Sequence, residues 1–246
     1  MIVQANARRL PLASGCATLA LTDPPYAVMT NANIDRGPLA PIVRNIGWDN
    51  MTEQQWIDLM LETARSLFRV CAPNATAYVF GSDVAPYWLR ETFQYAGWKY
   101  RMTCYWQKTN PAPKVHLVTY QAAVEPFAMF TKGRNVFNVE NGGLAHNVFR
   151  YPTPMGPERV HPTQKPVGLL EELIRNSSQP GDLVVDPYCG SGSTGEAARR
   201  MDRRFYGSDL DWTYLTHYAR FKAERAVSSA GLEHLPLFGG PLDSAS

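Results

Sequence analysis

Short unbroken apolar runs alternate along this chain with stretches in which apolar residues recur every three or four positions. The first pattern reads as buried strand and the second as amphipathic helix. Ala17–Thr22 is an apolar run that stops at Asp23-Pro24-Pro25-Tyr26, because two successive prolines end a strand. Positions 27–50 hold Asn, Gly and Pro without periodicity and read as a long loop, a length usually tied to function or mobility. Thr52 with Gln55 offers a capping box, after which Trp56, Leu59, Met60, Thr63 and Leu67 follow helical spacing. Residues 75–80 form a second buried strand, 84–96 a helix closed by Gly97, and 100–106 and 124–131 two further strands. The stretch 132–163 has little pattern and reads as an irregular insert. A helix over 164–178, with Pro166 in its first turn, leads to a strand over 182–186, a glycine loop, a helix over 193–201, a strand at 205–207 and a final helix over 211–227. Residues 229–246, rich in Gly, Pro and Ser, read as a disordered tail behind a single domain over 1–228. Alternation of this kind predicts a mostly parallel α/β sheet covered on both faces, with ligands beyond the carboxyl ends of its strands.

Composition narrows the class. The chain of 246 residues is 45% hydrophobic, enough for one substantial core. Its formal charge is +2, but residues 99–165 carry nine Lys or Arg against three Glu and no Asp. A basic middle suits a face that meets a polyanion, although a solvated basic surface would carry the same charge. The four cysteines form no CxxC pair and no zinc-finger cluster, so no metal site is expected and a reduced, cytoplasmic protein is. No run of 18 apolar residues is present, and the apolar stretch between Arg9 and Cys16 is too short for an export signal, so no membrane partner is expected.

Two strand-end loops carry the candidate chemistry. Asp186-Pro187-Tyr188-Cys189-Gly190-Ser191-Gly192 follows a strand and opens a helix; with Gly195 it satisfies GxGxxG, and Asp209 lies 19 positions beyond Gly190. No lysine follows the last glycine, which excludes a phosphate-binding P-loop. A dinucleotide is also disfavoured: the Asp186 carboxylate would repel a pyrophosphate but attract the ammonium of an amino-acid ligand such as S-adenosylmethionine. Asp209, at the end of the next strand, suits a ribose diol. At the other loop, the Asp23 carboxylate and the Pro24 carbonyl offer two rigid acceptors for the N–H groups of an exocyclic amine. That arrangement pulls a delocalised nitrogen lone pair toward tetrahedral geometry. Pro25 stiffens the turn, and Tyr26 offers a flat face to a base that has left its stack. A methyl group presented in line could then be transferred by positioning alone.

These residues resemble the β group of DNA amino-methyltransferases, in which the catalytic tetrapeptide, matched by Asp23-Pro24-Pro25-Tyr26, precedes the cofactor loop, matched by Asp186 to Gly192. The group's signature ahead of the cofactor strand is matched by His161-Pro162-Thr163-Gln164-Lys165-Pro166, and its ribose-binding acid by Asp209. The resemblance runs from about residue 1 to 225 and implies a circularly permuted, Rossmann-like seven-stranded sheet with one antiparallel strand. It implies S-adenosyl-L-methionine as cofactor, held by Asn6, Ala7, Asp23, His161, Thr163, Gln164, Lys165, Asp186, Pro187, Tyr188, Cys189, Gly190, Ser191, Gly192 and Asp209. Asn6 stands where the group usually has Asp. The target-recognition segment is short, 132–160, which suggests a short site, low specificity or help from a second subunit in a homodimer. Lys108, Lys132, Arg134, Arg150 and Arg159 are the residues expected to meet double-stranded DNA. The implied activity is methylation of the exocyclic amine of a flipped base in a restriction–modification setting. Adenine N6 is favoured because the group tends to have Ser in place of Asp23 for cytosine; cytosine N4, or a catalytically silent nucleic-acid-binding protein of the same fold, are the alternatives.

Overall fold

A computed structural model of the chain describes residues 1–26, 51–83, 85–111, 120–138, 145–155 and 164–210. The expected loop at 27–50, the final helix at 211–227 and the tail lie outside these residues, as do His161, Thr163 and Arg159.

The strands are β1 (Ile2–Gln4), β2 (Ala17–Thr22), β3 (Cys71–Phe80), β4 (Lys99–Lys108), β5 (Val124–Thr131), β6 (Val148–Tyr151), β7 (Leu183–Asp186) and β8 (Arg204–Asp209). The helices are α1 (Glu53–Val70), α2 (Ala85–Tyr95), α3 (Val167–Ser177) and α4 (Ser193–Arg200), with a 3-10 turn at Ala7–Arg9. The strands form one sheet in the order β1-β8-β7-β2-β3-β5-β4-β6. β5 runs antiparallel to both its neighbours, and every other pairing is parallel.

The mostly parallel sheet with one antiparallel strand matches the sequence reading, but among the described residues it has eight strands where the resemblance implied seven. One addition is β6, which lies within the stretch expected to be irregular. Its four residues pair with β4, from Tyr105 opposite Val148 to Lys108 opposite Tyr151. Four residues carry too little alternation to be seen in a sequence. Two boundaries also move. β3 starts at Cys71, with a register irregularity against β2 between Ala17 and Leu19. α3 starts at Val167, so Pro166 is its N-cap rather than a first-turn residue.

Period-two alternation divides the core between the two faces of the sheet. Ala20, Ala77, Val79, Ala128 and Phe130 face α1 and α2, where they meet Met60, Leu67, Leu89 and Phe93. Leu19, Leu21, Tyr78, Phe80, Phe127 and Met129 face α3 and α4, where they meet Leu169, Leu173, Ala197 and Ala198. Strands covered on both faces read as unbroken apolar runs, which is why β2 and the second half of β3 were evident in the sequence. α1 starts at the Thr52–Gln55 capping box, with both reciprocal bonds formed.

Topology locates the site. From β2 the chain passes through α1 to β3 on one side, and from β7 through α4 to β8 on the other. β2 and β7 are adjacent and parallel, with Leu19 opposite Val184 and Ala20 opposite Val185. The strand order therefore reverses between them, and a crevice opens at their carboxyl ends.

Candidate active site

Asp23 follows β2 and Asp186 ends β7, so both candidate loops open into this crevice. They are joined directly. The hydroxyl of Thr22, one residue before Asp23, donates to Asp186 Oδ1 at 2.7 Å across 164 positions of chain. Tyr188 N–H donates to the same oxygen at 3.1 Å. Asp186 is buried, and burial lifts its carboxyl to about 7 against the pull of hydrogen bonds from Thr194, Thr22 and the Tyr188 backbone. The negative charge of Asp23 nearby adds to the rise.

The glycine loop is stitched to β8. Cys189 N–H donates to Ser208 O at 3.0 Å, and Gly190 N–H to Asp209 Oδ2 at 3.0 Å. Gly192 has φ of +76° at the start of α4, a conformation that favours glycine over any residue with a Cβ. The Tyr188 hydroxyl pairs with Thr63 Oγ1 of α1 at 2.7 Å, which fixes the loop to the opposite face of the sheet. On β1, Gln4 lies opposite Asp209, and Ala5 N–H donates to Asp209 O at 3.2 Å. Asn6 and Ala7 are thereby brought beside Asp209; the Asn6 side chain accepts from Arg8 N–H and caps the 3-10 turn.

Around Asp23 the structure assembles a charged cluster. Lys165 Nζ donates to Asp23 Oδ2 at 2.5 Å and to Glu125 Oε1 at 2.9 Å. The Tyr26 hydroxyl donates to Asp23 Oδ1 at 2.6 Å and lies 3.0 Å from Glu125 Oε1. Lys108 Nζ closes the group on Glu125 Oε2 at 3.1 Å. The side chains of Lys165 and Glu125 are 5% and 15% exposed, against 24% for Asp23, which is thus the most open of the three to an incoming ligand. Burial raises the Asp23 carboxyl, and the Lys165 charge opposes that rise. Burial acts on Glu125 in the same sense, but Lys165 and Lys108 together hold it below the usual carboxylate range. Trp56 Nε1 of α1 donates to Pro25 O at 2.7 Å and fixes the turn.

Sequence reasoning named Asp23, Tyr26, Lys165, Asp186 and Asp209, and the structure gathers them at one end of the sheet. It missed Glu125, Thr22, Trp56 and Thr194. For Glu125 a signal was available, since it is the one charged residue in the apolar run Val124–Thr131. Lys165, expected beside the cofactor, contacts Asp23 and Tyr26 of the tetrapeptide.

The basic residues divide. Arg150 is exposed on β6, with Nε donating to Gln107 Oε1 at 3.0 Å, and Lys108 ends β4 at the catalytic edge. Lys132 and Arg134 do not reach that edge, because β5 runs the other way and delivers them to the opposite end of the sheet. There Lys132 Nζ donates to Phe68 O at 2.5 Å and Cys71 O at 2.7 Å, capping the carboxyl end of α1. Of the residues expected to meet DNA, these two therefore stand at the other end of the sheet from Asp23 and Asp186.

A DNA methylase family model matches residues 17–220. The type II methyltransferase M2.DpnII of Streptococcus pneumoniae is 30% identical over 220 residues, covering 78% of this chain and 77% of that protein. Among solved structures, the M1.HpyAVI–SAM complex superposes with a TM-score of 0.69 at 23% identity, covering 89% of this chain and 97% of the other. The cytosine-N4-specific PvuII DNA methyltransferase superposes with a TM-score of 0.70 at 18% identity, covering 89% and 84%. These two likenesses speak for the fold. The family match spans most of the chain and includes both loops that meet through Thr22 and Asp186, and the chain belongs to the N6/N4 DNA methylase family.

Proposed function

We propose that this protein transfers a methyl group from S-adenosyl-L-methionine to the exocyclic N6 of a flipped adenine in duplex DNA. The observation that carries the reading is the Thr22–Asp186 hydrogen bond, which couples the amine-gripping loop to the glycine loop.

The residues present fit the cofactor. A side chain at Gly190 would meet nothing nearer than Tyr188 O at 4.0 Å, so the loop offers open space to a ligand. Asp186 puts negative potential beneath that loop, and Asp209 brings a carboxylate to its far side. Asn6 and Ala7 open the 3-10 turn that follows β1, next along the chain from Ala5, which bonds to Asp209, and Gln164 lies just ahead of α3. When bound, the cofactor supplies an electrophilic methyl on a sulfonium.

The chain's own groups do the rest. Asp23 accepts one N–H of the target amine and the Pro24 carbonyl the other, while Trp56 holds the neighbouring Pro25 carbonyl out of the way. Burial raises the proton affinity of Asp23, which suits it to draw on that N–H and to take the proton that the amine must lose. Thr22 keeps this grip in register with the glycine loop. Most of the acceleration comes from positioning, so no covalent enzyme intermediate is needed. Arg150 and Lys108 supply phosphate contacts that hold the duplex against the carboxyl edge.

The Asp at position 23 is the feature that favours adenine, and the likeness of the fold to a cytosine-N4 enzyme keeps cytosine as the competing base. Incubation with tritiated S-adenosylmethionine and unmethylated duplex DNA, followed by nucleoside mass spectrometry, separates them. N6-methyldeoxyadenosine is the expected product. N4-methyldeoxycytidine would overturn the assignment of base, and no labelled nucleoside would overturn the activity.

A further inference from the structure

Both oxygens of the Asp23 carboxylate are already engaged. Oδ1 accepts from the Tyr26 hydroxyl and Oδ2 from the Lys165 ammonium. A target amine that binds Asp23 must therefore compete with these two donors for the lone pairs and the negative charge of one carboxylate. Lys165 and Tyr26 share a second acceptor, Glu125 Oε1, at 2.9 and 3.0 Å. Glu125 is itself held by Lys108 on its other oxygen. Of the two donors, Lys165 is the one that resembles the substrate, as it presents N–H groups on a nitrogen to the Asp23 carboxylate. Its long stem also lets the ammonium withdraw toward Glu125 without leaving a buried charge unpaired.

We propose that Lys165 is a resident cation on the amine-binding carboxylate of Asp23, and that Glu125 is the positioning residue that takes Lys165 over when the target base enters. The exchange rests on the reading of Asp23 as the amine acceptor. It keeps Asp23 paired while no base is present, and leaves the two carboxylates and two ammonium groups balanced before and after entry. Glu125 touches no substrate atom in this scheme and acts through Lys165.

Two variants pull the exchange in opposite directions. Glu125→Gln weakens the alternative seat of the ammonium, so Lys165 stays on Asp23 and competes with the amine. The KM for DNA should rise about tenfold or more, the scale of one charge-assisted hydrogen bond, while kcat changes much less. Lys165→Met removes the competitor and should leave that KM unchanged or lower.

The pH profiles add a readout that a purely structural role would not move. The groups facing Asp23 are Lys165 and Tyr26, Glu125 from β5, Lys108 behind it from β4, and Asp186 from β7. The Glu125 charge raises the Asp23 carboxyl and the Lys165 charge lowers it. The acid limb of kcat should therefore move to lower pH in Glu125→Gln and to higher pH in Lys165→Met, with activity regained on the alkaline side. Asp186 is also raised by burial, but both variants retain it. Both rates are measured on unmethylated duplex DNA at saturating S-adenosylmethionine. Opposite limb shifts with a KM effect confined to Glu125→Gln support the exchange. Limbs that stay together, or a Glu125→Gln variant that loses kcat at unchanged KM, overturn it even though the wild type is active. An inactive wild type would overturn the underlying function with it. Should Lys165→Met fail to fold, the near-isosteric Glu125→Gln decides alone.

Discussion

At the scale of single residues, Asp186 carries the sharpest consequence. Its carboxyl stands at about 7 in the folded chain against an ordinary value of 3.8. The folded state thus keeps a proton that the unfolded chain has lost at any pH between those values. Stability without cofactor should fall as pH rises through that window, by up to about 1.4 kcal/mol per pH unit. Asp186→Asn, which carries no proton to lose, should flatten this dependence in thermal melts, and an unchanged slope would contradict the assigned burial. Cofactor binding has the opposite dependence, because a cationic amino group favours the ionised carboxylate. Affinity in the wild type should therefore rise with pH up to about 7. Asp186→Ala should weaken binding about tenfold or more at neutral pH by calorimetry; equal affinity would remove Asp186 from the cofactor site.

Among elements, the close approach of α4 to β8 is set by small residues. A Cβ on Gly195 would lie 2.7 Å from the Phe205 ring, and one on Gly207 would lie 2.6 Å from it. Gly195→Ala should cost about 1–3 kcal/mol, read as a lowered melting temperature, through overpacking that displaces Phe205. A melting temperature at or above the wild type would mean that helix and strand can part. The elements differ in how plainly the sequence announced them. β2 and the core of β3 are buried on both faces, so their residues are apolar without interruption. α1 was evident because Thr52 and Gln55 sit where the cap needs them and the apolar face repeats at helical spacing. β6 was not, since Val148–Tyr151 is too short for alternation and exists by pairing with β4. The site divides on the same principle. Asp23, Tyr26, Asp186 and Asp209 lie in local motifs with their own turn chemistry and could be named from the chain alone. Glu125 and Thr22 matter through partners 99 and 164 positions away, and no local pattern encodes such a pairing. Lys132 shows the converse: its position in a basic stretch suggested DNA, but strand direction turns it toward the end of α1.

For the whole molecule, the sheet separates its two ends by task. The amino ends are closed by Lys132 and the carboxyl end of α1, while the carboxyl ends carry both loops, the charged cluster and Arg150. DNA should therefore approach from the carboxyl side. Arg150→Ala should reduce the slope of log affinity against log salt by about one phosphate contact, and Lys132→Ala should leave that slope unchanged while lowering stability. An unchanged slope in the first variant, or a reduced one in the second, would put the DNA face elsewhere.

Methyl transfer of the proposed kind requires two loops that share one crevice but hold separate tasks, Asp23 for the amine and Asp186 for the cofactor. Asp23→Ala tests this most directly, with methyl transfer to duplex DNA and calorimetric S-adenosylmethionine binding measured on the same preparation. Transfer should fall to background while cofactor affinity stays near that of the wild type. Residual transfer with lost cofactor affinity would contradict this division of tasks.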